Sequence, residues 1–230
     1  MHLGLIGGIG VAASLVYYQR LAARVSARGG QMEMTLAHAD INALIRNNLD
    51  WQPDAQADLF ARHIDQLKAA GAECAALTSL GAHFCFPELV AKSALPLISA
   101  IAPLDDNFAS AGLKRVGLLG TANVMRTRLF GQMTKTDALA PDGDLDALGQ
   151  TYQDIAIAGT CRADQRQTFH QAGRQMIDDQ GAEAIILAGT DLNLAFDSAH
   201  DPGYRVIDAL DIHVDLLARI ALNDAPVPSP

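Results

Sequence analysis

Two similar stretches, about 110 residues apart, constrain the fold of this chain more than any other feature. Residues 71–83 read GAECAALTSLGAH, and residues 181–192 read GAEAIILAGTDL. Each stretch begins with a glycine that can end a helix, continues as a short apolar strand, and finishes in small or polar residues that can open another helix. In an open α/β sheet, ligands bind at the carboxyl ends of the strands. We therefore expect two similar halves that face one cleft.

The rest of the chain alternates short apolar runs with amphipathic segments, which predicts parallel strands covered by helices. We predict an α/β protein with two pseudo-symmetric parallel-sheet lobes, flanking helices and a cleft between the lobes. The N-terminal lobe covers residues 1–100, with a helix at 208–222 packing back on it. The second lobe covers residues 101–207 and includes an exposed, aspartate-rich loop at 137–146, and residues 223–230 form a disordered tail.

The composition excludes several classes of protein. Only 17 basic residues stand against 26 acidic ones, so no basic stripe is available to bind nucleic acid. No apolar run approaches the roughly 18 residues of a membrane span, and the first residues lack the basic region of a signal peptide. The three cysteines have no CxxC spacing, which predicts a cytoplasmic protein without a zinc site or other metal site.

A glycine-rich loop, GGIG at residues 7–10, follows the first predicted strand. A strand, a glycine loop and a helix can together cradle a phosphate. This loop has neither the GxGxxG spacing nor the Lys-Ser/Thr pair of a P-loop, so nucleotide binding is the weaker interpretation. The loop can instead be a tight turn whose free amides, Gly8 among them, hold a carboxylate.

Several polar residues lie near predicted strand ends. Arg46 could pair with a substrate carboxylate through two hydrogen bonds, or be an ordinary solvated arginine. Thr121 and Thr190 each lie between a strand and a helix, where a hydroxyl can bind an anion or cap the helix. Asp191, the only ionisable group in its turn, can act as a base or as a helix cap.

Taken together, these motifs resemble the aspartate/glutamate/hydantoin racemase superfamily, and its aspartate racemase branch most closely. The resemblance runs from about residue 3 to about residue 215. It is carried by GLIGG at 4–8, the tyrosine pair at 17–18, Trp51 ahead of a long helix, GLLGT at 117–121, and both Gly-Ala-Glu strands. It implies two α/β lobes with one active site between them, no cofactor, a small amino-acid or carboxylate substrate, and a homodimer.

In racemases of this kind each lobe contributes one cysteine: one thiolate removes the α-proton, and the other thiol returns a proton to the opposite face. The resemblance places the first motif, Cys-Asn-Thr followed by a small residue and His, on Ser79, Leu80, Gly81, Ala82 and His83. It places the second motif, Cys-Thr-Glu, on Gly189, Thr190 and Asp191. Both cysteines are therefore replaced, and the acid of the second motif is shortened.

The loss of the thiols limits the chemistry. A serine hydroxyl is a weaker acid than a thiol by roughly five pKa units, so Ser79 can act as a base only if another group takes its proton. His83 is a nearby candidate for that role, although a position four residues along a helix can also direct it away. Cys74 and Cys85 fit buried, inert thiols, whereas Cys161 could reach the cleft.

We predict that Ser79, Asp191 and His83 are catalytic, and that the substrate is held by Gly8, Arg46, Gly81, Thr121, Gly189 and Thr190. The resemblance then implies a cofactor-independent enzyme that acts at the carbon next to a carboxylate of a small acidic amino acid or related acid. Superfamily members with one cysteine carry out non-racemase chemistry, so a diverged lyase, decarboxylase or isomerase is expected rather than a standard racemase. The alternative is a non-catalytic protein that binds a small anion on the same scaffold.

Overall fold

The structure, a computed structural model, describes residues 1–227. The chain forms two compact units. Unit 1 contains Met1–Ala100 together with the described residues from His213 onward, and unit 2 contains Ile101–Ile212.

Unit 1 is built on a four-stranded sheet in which all neighbouring strands are parallel. Its strands are β1 (His2–Gly7), β2 (Glu33–His38), β3 (Cys74–Leu77) and β4 (Leu97–Ile98), in the order β2-β1-β3-β4. Its connecting helices are α1 (Val11–Ala27), α2 (Ile41–Leu49), α3 (Pro53–Ala69) and α4 (Phe86–Lys92), with a 3-10 helix at Gly81–Cys85 between β3 and α4.

Unit 2 repeats this plan. After α5 (Ala102–Ser110), its strands are β5 (Arg115–Leu119), β6 (Asp137–Leu139), β7 (Ala184–Leu187) and β8 (Val206–Asp208), all parallel, in the order β6-β5-β7-β8. Its helices are α6 (Ala122–Arg126), α7 (Leu145–Ala158), α8 (Ala163–Asp178) and a 3-10 helix at Thr190–Leu194, and α9 (Ala209–Ala221) begins in its stretch of the chain. The predicted α/β fold with two parallel sheets is confirmed.

The Gly-Ala-Glu sequence plays the same part in both units. Its glycine has a positive φ, 94° at Gly71 and 71° at Gly181, which suits the residue just after a helix. Its glutamate bonds the neighbouring strand: Glu73 Oε2 accepts a hydrogen bond from His2 N at 2.6 Å. In unit 2, Glu183 Oε2 accepts one from Lys114 N, also at 2.6 Å. The repeat therefore encodes a helix end, a buried strand and a bond to the adjacent strand.

One sequence prediction is wrong: residues 137–146 are not simply an exposed loop. Residues Asp137–Leu139 form β6, which pairs in parallel with β5. The cause lies in α5, where the buried Asp105 carboxylate accepts hydrogen bonds from Thr134 N (2.7 Å), Lys135 N (2.8 Å) and Thr136 N (3.0 Å). Burial acts to raise the pKa of Asp105, but these hydrogen bonds outweigh it and hold the pKa below its ordinary value. Asp105 thus fixes the turn that delivers β6 to the sheet edge.

The C-terminal residues end α9 in a short turn. Asp224 N donates to Arg219 O at 2.8 Å, and Ala225 is buried. Residues 228–230 of the predicted tail lie outside the described residues. Within residues 1–227, no helix is both long enough and apolar enough to cross a membrane.

We expect Asp105→Ala to lower the free energy of unfolding by about 2–3 kcal/mol, because it leaves the backbone donors at 134–136 without their carboxylate. Urea unfolding followed by circular dichroism measures this change. The matched control is Asp106→Ala, which removes an exposed ion pair with Lys135 and should cost less than about 1 kcal/mol. Equal effects of the two substitutions would contradict the role given to Asp105.

Candidate functional site

In unit 1 the loops after β1 and β3 are joined by hydroxyl groups. Thr78 Oγ1 donates to Ile6 O at 3.1 Å and lies 3.1 Å from Ser14 Oγ. Ser14 Oγ in turn accepts a hydrogen bond from Gly8 N at 2.9 Å and lies 2.9 Å from Gly10 O. The sequence predicted a free amide at Gly8 that could hold a carboxylate. The structure corrects this, because that N–H already donates to Ser14.

The turn after β3 places Ser79 in a buried position next to His83. His83 Nδ1 lies 2.9 Å from the Ser79 carbonyl oxygen, and His83 Nε2 accepts a hydrogen bond from Ala100 N at 3.0 Å. The imidazole stacks on Phe86, with ring centroids 4.8 Å apart. Burial lowers the pKa of His83 to about 4, so the ring is neutral near pH 7, with its proton on Nδ1.

This geometry changes the role that the sequence suggested for His83. Both ring nitrogens are engaged by backbone groups, so neither is available to take a proton from the Ser79 hydroxyl. Among the described residues, Ser79 Oγ has no hydrogen-bond partner. His83 fixes the shape of the turn, and Ser79 presents an unactivated hydroxyl.

Helix α2 contributes a different side chain from the one expected. Asn48 Nδ2 donates to Gly81 O at 3.3 Å, so the buried Asn48 links α2 to the turn after β3. Arg46 is exposed on the same helix, near the carboxylate of Asp40. The structure therefore brings Asn48 to the Gly81 turn and leaves Arg46 on the surface.

In unit 2, Thr121 follows β5 and caps α6. Its Oγ1 accepts a hydrogen bond from Val124 N at 3.2 Å, which is the capping geometry that the sequence left as an alternative. The hydroxyl proton of Thr121 is not used in that bond.

The turn after β7 holds a buried polar pair. Tyr152, from α7, donates its hydroxyl to Asp191 Oδ2 at 3.2 Å. The same hydroxyl interacts with the Thr190 side chain and the Asp191 backbone. Tyr152 is 5% exposed and Asp191 1% exposed. Burial, and then the nearby Asp191 carboxylate, raise the pKa of Tyr152 well above its ordinary value, so the phenol keeps its proton and acts as a donor.

Tyr152 also explains why position 189 is glycine. A Cβ at Gly189 would lie 2.3 Å from Tyr152 Cε2, so the ring fills the space that a side chain would need. Tyr152 belongs to no sequence motif. Its spacing from Leu148 and Ile155 indicates only a buried helix face.

The cysteines do not supply a thiolate to either turn, although Cys85 Sγ donates to Ala82 O at 3.2 Å in the turn after β3. Burial raises the pKa of Cys74 to about 11 and that of Cys85 to about 12, so both stay protonated near neutral pH. Cys161 is half-buried, and its Sγ lies 3.4 Å from Arg162 O. Burial raises the pKa of Cys161 as well. Among residues 1–227, no cluster of three or more His, Cys, Asp or Glu side chains is arranged to hold a metal ion.

The fold and these turns define a class: a protein of two parallel α/β units whose polar turns lie at the carboxyl ends of the central strands. The model of the Asp/Glu/hydantoin racemase family matches residues 6–217. The chain belongs to this family, which confirms the resemblance seen in the sequence.

Three solved structures share the fold. A candidate Asp/Glu racemase from Yersinia pestis is 24% identical, with a TM-score of 0.78, over 96% of this chain and 100% of that chain. An aspartate racemase homologue from Pyrococcus horikoshii is 21% identical, with a TM-score of 0.74, over 96% and 99% of the two chains. The aspartate racemase of Picrophilus torridus is 18% identical, with a TM-score of 0.72, over 97% and 94%. At these identities the similarity shows the fold.

A second buried histidine lies in unit 1. His213 Nδ1 is 2.8 Å from Tyr17 Oη, and burial lowers the pKa of His213 to about 3. Histidine in an unfolded chain titrates near pH 6.5, so below that pH the unfolded state binds protons that neither His83 nor His213 binds in the folded state. Their stabilising contribution is complete above about pH 6.5 and is lost as the pH falls toward 4.

We therefore expect the free energy of unfolding to fall by about 2 kcal/mol per histidine between pH 7.5 and pH 5. Urea unfolding at the two pH values measures the difference. The double variant Tyr17→Phe/His213→Leu replaces the buried pair with apolar groups and should remove about half of this dependence. A full pH dependence in the double variant would argue against this origin.

Proposed function

We propose that this protein is a cofactor-independent enzyme that moves a proton at the carbon next to the carboxylate of a small acidic amino acid or related acid. We further propose that it uses one acid–base group, Asp191. Membership of the Asp/Glu/hydantoin racemase family supports the substrate class. The observation that carries the single-base assignment is the buried Asp191 carboxylate, held by Tyr152 in the turn after β7.

Among the described residues, the turn after β3 in unit 1 offers no comparable base. The Ser79 hydroxyl would need a partner to take its proton, and both nitrogens of the neighbouring His83 are bonded to the backbone. The hydroxyls of Ser79 and Thr121 still have protons to donate. We therefore propose that each of them is a hydrogen-bond donor rather than a base.

One base restricts the outcome of the reaction. The Asp191 carboxylate takes the α-proton, so the C–H bond breaks, an O–H bond forms, and the electron pair passes into the substrate carboxylate as an enediolate. The proton on the carboxyl group exchanges with solvent, and the same carboxyl group then returns a solvent-derived proton to the face from which the first proton came. The α-hydrogen is therefore exchanged without inversion. A single proton-transferring group fits a lyase, decarboxylase or isomerase better than a racemase that uses two bases.

We expect α-hydrogen exchange without inversion. The protein in heavy water is incubated with each enantiomer of aspartate and glutamate and then with a panel of small carboxylic acids, followed by proton NMR and chiral chromatography. Asp191→Asn should slow exchange by at least about 100-fold, because it removes the base. Ser79→Ala should keep the rate within about 10-fold, because it removes only a hydrogen bond.

Two results would contradict this assignment. Exchange with inversion would require a second proton-transferring group. No exchange with any acid, combined with a ligand-dependent rise in melting temperature, would favour a non-catalytic role in binding a small anion.

We also propose a homodimer in the cytoplasm. The cytoplasmic assignment rests on the three free cysteines. Homodimerisation follows the family resemblance and is supported by an apolar stripe on α1, where Val11, Leu15 and Tyr18 are 51%, 60% and 49% exposed. These residues recur at helical spacing, so they lie on one face of the helix.

We expect light scattering after size-exclusion chromatography to give twice the chain mass, and Leu15→Arg to shift the protein to the monomer. A charge placed on an apolar interface is left without solvent or a partner. Leu49→Arg, at a residue that is 61% exposed on another helix, is the control and should leave the assembly unchanged. A monomeric parent protein would overturn the proposal.

A further inference from the structure

The space next to Gly189 is already occupied. A Cβ at this position would lie 2.3, 2.8 and 2.9 Å from Tyr152 Cε2, Cζ and Cδ2, all shorter than real Cβ contacts. Any side chain at position 189 therefore requires the tyrosine ring to move.

The helix that carries Tyr152 is held close to the backbone of α6. A Cβ at Gly149, also on α7, would lie 2.7 Å from Ala122 N. Helix α7 thus packs directly against the first turn of α6. Tyr152 is a rigid aromatic side chain on a closely packed helix, and its hydroxyl reaches Asp191.

We infer that Tyr152 occupies the volume that a side chain at position 189 would need, and that it is the positioning residue for proton transfer by Asp191. This inference rests on the proposed function. Its hydroxyl donates to the carboxylate, which favours the ionised, proton-accepting form and fixes the direction of its oxygens. Tyr152 does not itself release a proton, because a phenolate would then lie beside a carboxylate.

The steric part is tested by thermal unfolding of Gly189→Cys, Tyr152→Ala and the double variant. Gly189→Cys should lower the melting temperature markedly in the parent protein and have little effect when residue 152 is alanine. The matched control is Gly173→Cys, whose Cβ would lie 2.2 Å from the Tyr204 hydroxyl elsewhere in unit 2. Its effect should be the same with or without Tyr152. If the effects of Gly189→Cys and Tyr152→Ala on the melting temperature simply add, the two side chains do not compete for one volume, and this part of the inference is overturned.

The positioning part is tested with Tyr152→Phe, which keeps the ring and removes the donor. The pH profile of α-hydrogen exchange is recorded with whichever acid of the panel the parent protein exchanges. In Tyr152→Phe, the acid-side limb of this pH profile should move to higher pH. Its kcat should fall about 10-fold or more, while its KM should change less than about 3-fold. A residue needed only for packing would leave the position of the limb unchanged.

The outcomes separate the two proposals. If the parent protein catalyses exchange and the acid-side limb of the pH profile stays at the same pH in Tyr152→Phe, only the positioning role is overturned. Absence of exchange with every acid would overturn the proposed function, and the positioning role with it.

Discussion

A carboxylate at the amino edge of each sheet ties its two central strands together. Glu73 accepts the amide of His2, and Glu183 accepts the amides of Lys114 and Arg115. These bonds accompany a register in which all of β3 pairs with β1 and all of β7 pairs with β5. Because side chains alternate along a strand, a slip of one residue would exchange the two faces of the sheet. The register therefore also determines which residues emerge in the turns at the opposite edge.

The two turns that emerge there have different chemistry despite the shared plan. In unit 1 the polar groups are largely engaged with the backbone: Thr78 with Ile6, Ser14 with the glycine loop, and His83 with Ser79 and Ala100. In unit 2 a carboxylate is buried and hydrogen-bonded to a phenol. A repeated fold thus carries two chemically different turns, one whose polar groups are bonded to the backbone and one with a buried carboxylate–phenol pair.

The sequence predicted the elements whose signals are local. The Gly-Ala-Glu repeat, the apolar strands and the helical periodicity were enough to identify two parallel sheets and the family. β6 was missed because its position depends on Asp105, about 30 residues earlier, whose carboxylate organises the preceding turn. Such a contact has no signature in the strand itself, which is only three residues long.

The candidate site was predicted only in part, for a similar reason. Strand-end positions such as Ser79 and Asp191 follow from the fold, but hydrogen-bond partners do not follow from spacing. Both nitrogens of the buried, neutral His83 ring are bonded to backbone groups, and the sequence does not indicate these partners. Tyr152 acts through a contact between α7 and a turn 37 residues later, and no motif connects them.

The contact between Tyr152 and Gly189 also bears on how this chain could change over time. Introducing a side chain at 189 first meets the ring, and removing the ring first leaves a void that costs about 3–5 kcal/mol. The second step alone would remove a large part of the roughly 5–15 kcal/mol by which a typical domain is stable. Placing a cysteine at 189 without this clash therefore requires a change at 152 as well, so the two positions can only change together.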